Sequence, residues 1–172
     1  EYIIAGGLTE DSAGPLPFKI NYPKENKDTP IPIFVYLTPL KTVCEGKIDA
    51  VEFIADKQFA FLHIFNSDSS TDETENHWDD FSHLRIRKTL KILEEKKALD
   101  YKLDFGNICI CGVAQSSWTA LRTLLAYPTI FSKAVLLNTA LFARTQEFMA
   151  LEKIVNKSAF DFLIYHSRSD SL

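Results

Sequence analysis

Cysteine and glycine are scarce in this chain, at three and six of 172 residues, and each shortage excludes something. Cys44, Cys109 and Cys111 are too few for a disulfide framework. Cys109 and Cys111 lie two apart on an expected strand, so they share a face and packing explains them. Free thiols of this kind fit a reducing compartment, the cytoplasm. The glycine-rich phosphate cradles are missing as well: there is no G-x-x-x-x-G-K-[ST] and no G-x-G-x-x-G after a strand. No apolar run reaches the roughly 18 residues of a membrane span. Positive charge is in deficit, with 19 Lys+Arg against 23 Asp+Glu and a net charge of −4. The basic residues are scattered, which leaves no electrostatic case for a nucleic-acid partner. The sequence opens at Glu1 with neither a methionine nor a signal peptide, which predicts a processed product or a domain cut from a longer chain.

What is present is ordinary globular composition, 46% hydrophobic and 24% charged. It suits a single domain over residues 1–172, long enough to bury a sizeable core. Residues 8–17 read as loop, and "FKINY" (18–22) alternates in polarity like a strand with one covered face. "IPIFVYL" (31–37) is a near-continuous apolar run, the mark of a central parallel strand buried on both sides. In 46–56, Ile48, Val51 and Ile54 fall at helical spacing. "FAFLHIF" (59–65) is a second buried strand, followed by a polar loop over 66–80. The spacing then predicts a helix over about 80–97, with Asp79, Asp80 or Ser82 to cap it and Ile86, Leu90 and Leu93 as its apolar stripe. After it come strand 107–111, helix 116–127, strand 133–138, helix 143–155 and strand 160–166.

Strands alternating with helices mean βαβ units. The expected fold class is therefore α/β, three layers with a mostly parallel central sheet and helices on both faces. Ligands of such sheets bind outside the carboxyl ends of the strands. That directs attention to Thr38–Leu40, Asn66–Asp80, Gly112–Ser116, Asn138–Leu141 and His166–Asp170. Within these, His77 and Trp78 are candidates to line a pocket, against the blander reading of loop packing. The carboxylates of 68–75 show no ligand spacing, so a solvated loop is the better reading and no metal is expected. His63 sits inside a strand as a core histidine, and His83 is expected on a helix surface.

One stretch asks for more. In "CICGVAQSSWTAL" (109–121) an apolar run stops at Gly112 and a helix begins by Ser116. That is the layout of a nucleophile elbow, G-x-S-x-G, which needs small residues two before and two after its tip. Gly112 and Ser116 are small, but the tip is Ala114. Alone the pattern is weak. Its neighbourhood, "NICICGVAQSSWTALRTLLAYPTIFSKAVLLNTAL", resembles the α/β-hydrolase superfamily. The likeness is greatest to the branch of feruloyl, enterochelin and S-formylglutathione esterases. The elbow, the Ala120–Leu121 pair and Pro128 to Phe131 leading into "KAVLLN" carry the resemblance. Upstream, "FKINYPKENKDTPIPIFVYL" is similar to that branch's second and third strands. Hydrolase-like acyltransferases of bacterial glycan and accessory secretion systems are similar at the same level.

The resemblance implies Ser–Asp–His acyl transfer without metal or organic cofactor, acting on a small ester or an acylated glycan. By position the nucleophile falls on Ala114, which cannot attack, and the acid on Asp170. The histidine would lie after one more strand, so the fold is expected to be C-terminally truncated at Leu172. One oxyanion donor would be the N–H of Gln115. The other falls where the family carries His-Gly and this chain carries Thr38-Pro39. A proline there has no N–H, which would cost on the order of 3 kcal/mol unless Thr38 or Leu40 substitutes. Thr38, Leu40, His77, Trp78 and Ser116 are the expected substrate contacts.

Two origins of Ala114 stay open, an engineered Ser→Ala and a natural loss of catalysis. So do two functions: an inactive esterase or acyltransferase relative, and an interaction domain binding a protein or glycan on the same fold. A flavodoxin-like domain is a more distant third, with only Gly6–Gly7 and Thr9 for its phosphate loop.

Overall fold

The computed structural model describes residues 14–16, 18–23, 29–37, 59–65, 82–96, 102–137 and 161–165. They form β1 (Phe18–Asn21), β2 (Ile31–Leu37), β3 (Ala60–Ile64), α1 (Ser82–Glu95), β4 (Leu103–Val113), α2 (Gln115–Ala126), β5 (Phe131–Leu137) and β6 (Asp161–Tyr165). The strands make one six-stranded sheet in the order β1-β3-β2-β4-β5-β6. Only β1 runs antiparallel, against β3. The pairs β2–β3, β2–β4, β4–β5 and β5–β6 are parallel. The mostly parallel α/β sheet expected from the alternating pattern is therefore present.

The period of two along each strand sorts the side chains into two layers. On one face Ile33, Val35 and Leu37 of β2 meet Leu62 and Ile64 of β3, Ile108 and Ile110 of β4, and Ala134 and Leu136 of β5. Both described helices cover this face. Ile86, Leu90 and Leu93 of α1 and Ala120, Leu121 and Leu124 of α2 complete the core. The expected α1 stripe and the Ala120–Leu121 pair thus point inward. On the other face Tyr36, Phe61 and Cys111 form a smaller cluster with Phe34, Val113, Val135 and Leu137. The segments 46–56 and 143–155, where helices are expected, lie outside the described residues.

Several elements depart from the pattern-based expectation. β4 starts at Leu103, four residues before "NICIC". The "DFGN" stretch carries turn residues, and the Gly106 N–H indeed bonds the Asp104 carboxylate at 3.0 Å. A register shift between Pro32 and Ile33 nevertheless lets Leu103 and Asp104 pair with Ile31 and Pro32. Ser82 is the first residue of α1 and fully buried, rather than a cap before it. His83 is not a free surface residue: it is half-buried, with its ring 6.4 Å from that of Tyr127. His63 is a core histidine as expected, 7% exposed between Tyr36, Phe61 and Phe65. Burial, with Lys19 adding to it, lowers its pKa to about 4.

The order of the strands also locates a switch point. From β2 the chain steps outward to β3, then crosses back to β4 on the other side of β2 and continues outward to β5 and β6. The winding therefore reverses between β2 and β4. In open α/β sheets ligands bind outside the carboxyl ends of the strands at such a switch point.

Candidate active site

Between Val113, the last residue of β4, and Gln115, the first of α2, there is one residue, Ala114. Its φ is 51° and its ψ −118°, and no other non-glycine among the described residues has a positive φ. This ψ is far from the left-handed helical well near +30° to +60° that an L-residue can enter. Holding a residue with a Cβ there costs about 1–3 kcal/mol, so the surroundings must impose it.

They do so from three sides. The Ala114 N–H donates to the Leu137 carbonyl at the end of β5, at 2.8 Å. The Ala114 carbonyl accepts from the Ser117 N–H at 3.2 Å, and from the Ser117 hydroxyl as well. The Ser116 hydroxyl accepts the Val113 N–H at 2.9 Å, and its single proton has two acceptors in reach, the Leu37 and Val113 carbonyls at 2.8 and 2.9 Å. Gly112 makes the corner possible: a Cβ there would lie 2.4–2.6 Å from Ser116 and Ser117 main-chain atoms.

The result is a side chain on a pedestal. Ala114 is exposed, whereas Gly112, Ser116 and Ser117 around it are buried. Ala114 also occupies the cap position of α2 and makes no side-chain cap bond. The leading N–H groups of a helix have no acceptor within it, and the helix dipole puts partial positive charge at that end. A group attached at position 114 would therefore meet main-chain donors, of which the Gln115 N–H is the first. A carbonyl oxygen gaining negative charge suits such a place.

Of the expected site residues, Ala114 and Gln115 fall at this tip. Ser116 is 0% exposed, and its hydroxyl is engaged by the main chain. Thr38, Pro39, Leu40, His77, Trp78 and Asp170 lie outside the described residues. Sequence reasoning missed the Leu37 and Leu137 carbonyls, because only strand order brings the ends of β2 and β5 to the elbow. Ser117 was legible in principle, as a hydroxyl in the first turn of a helix. Cys109 and Cys111 are buried in β4. Burial drives the Cys109 thiol up to about 11, against a smaller opposing pull from Lys133. Burial and then Cys109 push Cys111 up to about 12. Both are protonated and poorly nucleophilic at neutral pH. Among the described residues no helix is long and apolar enough to cross a membrane.

Comparison with solved structures shows that the α/β fold is similar to that of a serine hydrolase. An IroE-like serine hydrolase from Shewanella oneidensis matches with a TM-score of 0.52 at 16% identity, over 86% of this chain and 54% of that one. A thermostable esterase matches with a TM-score of 0.47 at 13% identity, over 90% of this chain and 52% of that one. The chain thus spans about half the length of these two proteins. No family model matches the sequence, and no curated protein does.

Proposed function

We propose that this chain is a hydrolase-fold domain of esterase or acyltransferase ancestry in which Ala114 stands at the nucleophile position, so that it carries no serine-based acyl transfer as written. The observation that carries the reading is the exposed, positive-φ Ala114 at the β4–α2 corner, beside the switch point of the sheet. An alanine has no use for that conformation, since a relaxed turn would cost less. A nucleophile does: the corner lifts its side chain clear of the sheet and places it over the leading N–H groups of α2. With a serine there, its oxygen would bond to an ester carbonyl carbon, its proton would pass to a histidine, and the Gln115 N–H would hold the oxyanion until the protonated alcohol leaves. Asp170 is assigned to the acid that orients a histidine. With the methyl group of Ala114, no such bond can form.

The test is restoration of the hydroxyl in the protein at its full native length. Ala114→Ser should hydrolyse a short-chain nitrophenyl ester and take up a fluorophosphonate at that position, located by peptide mass. The unchanged protein should do neither. If the serine-bearing protein also stays silent in both assays, the acyl-transfer ancestry fails and a binding role on the same fold replaces it.

A further inference from the structure

We infer that the buried Ser116 hydroxyl is a positioning group that ties the carboxyl end of β2 to that of β4 and so sets the elbow on which position 114 stands. Ser116 and Leu37 are 79 residues apart in the chain, yet the hydroxyl lies 2.8 Å from the Leu37 carbonyl. The same oxygen accepts the Val113 N–H at 2.9 Å. Leu37 and Val113 are the last residues of β2 and β4, the two strands flanking the switch point. One buried side-chain atom therefore bridges the carboxyl ends of the two strands. A glycine in this place, as in the G-x-S-x-G layout, would allow the close approach but could not make the bridge. The part-buried Val113 N–H would then lose the hydroxyl as its partner. The inference deepens the proposed function, because it assigns a residue to the geometry of the same corner.

It can be tested without any acyl-transfer chemistry. Ala114→Cys places a thiol at the amino end of α2, where a helix terminus lowers a thiol pKa below its ordinary value of about 8.5. Its alkylation rate against pH, followed by mass at that one peptide, then reports the corner. Adding Ser116→Ala should raise the apparent pKa by about one unit and slow alkylation at neutral pH about tenfold. Ser116→Thr, which keeps a hydroxyl, should retain the low pKa. An unchanged pH profile in the Ser116→Ala background overturns the inference.

If that variant does not fold, amide exchange in the unmodified protein decides. Protection of Val113 equal to that of the central β4 amides supports the bridge, and exchange at the rate of an open strand end overturns it. The ester and fluorophosphonate assays read the proposed function separately, so either idea can fail alone.

Discussion

Gly112 lies directly beneath the first turn of α2, so close that a Cβ on it would sit 2.4 Å from the Ser117 Cα. All three nearest atoms are main chain, belonging to Ser116 and Ser117, so no side-chain rotation can relieve the contact. Gly112→Ala must push α2 away from β4 and break the Ser116 and Ser117 bonds that hold the corner. The expected loss is on the order of 3 kcal/mol or more, at the upper end for a single substitution. Urea denaturation of the purified variant measures it, and a loss below about 1 kcal/mol would show that the helix does not press on the strand.

Two residues along, the opposite result is expected. Glycine enters the conformation seen at Ala114 without steric cost. Ala114→Gly releases strain of about 1–3 kcal/mol and gives back less than 1 kcal/mol through the freer unfolded chain. The variant should therefore be more stable by about 1 kcal/mol, seen as a higher urea midpoint at unchanged slope. A lower midpoint would mean that the corner is relaxed.

His63 makes stability depend on pH in a definite direction. Folded, its pKa is about 4; unfolded, it returns to about 6.5. Between those values the unfolded chain binds more protons, so stability is complete above 6.5 and falls as pH drops toward 4. The full effect is on the order of 3 kcal/mol, of which about 2 should be gone at pH 5. His63→Phe fits the aromatic row of Tyr36, Phe61 and Phe65 and removes the titration. The gap in unfolding free energy between pH 7 and pH 5 should shrink by about 2 kcal/mol relative to the unmodified protein. An identical gap in both proteins rejects the assignment.

Cys109 and Cys111 should resist alkylation in the folded protein. Their thiols, pushed to about 11 and 12, hold very little thiolate at pH 8, and both are buried. Iodoacetamide at that pH should leave the 109–111 peptide unmodified for hours and label it within minutes in denaturant. Rapid labelling without denaturant would mean that the outer face of β4 opens readily.

Much of this was legible in the chain itself, for local reasons. Ile31–Leu37 is apolar throughout because the strand lies between β3 and β4, with Ile31, Ile33, Val35, Tyr36 and Leu37 buried. Ile86, Leu90 and Leu93 recur at helical spacing because one face of α1 meets the sheet. Gly112 and the small residue at 116 announced a crowded strand-to-helix turn, since only small groups fit within 3 Å of main chain. Local pattern thus determined the α/β class, the order of the described elements and the position of the corner.

What it could not contain is anything that depends on strands distant in sequence arriving side by side. Ser116 reads as one more small residue until β2 comes to rest beside β4 and delivers the Leu37 carbonyl to its hydroxyl. Ala114 reads as the tip of a turn, but its positive φ is held only once the Leu137 carbonyl joins its own turn and Gly112 around it. Strand order alone decided these contacts, because hydrogen bonds between elements are set by which neighbours the sheet selects.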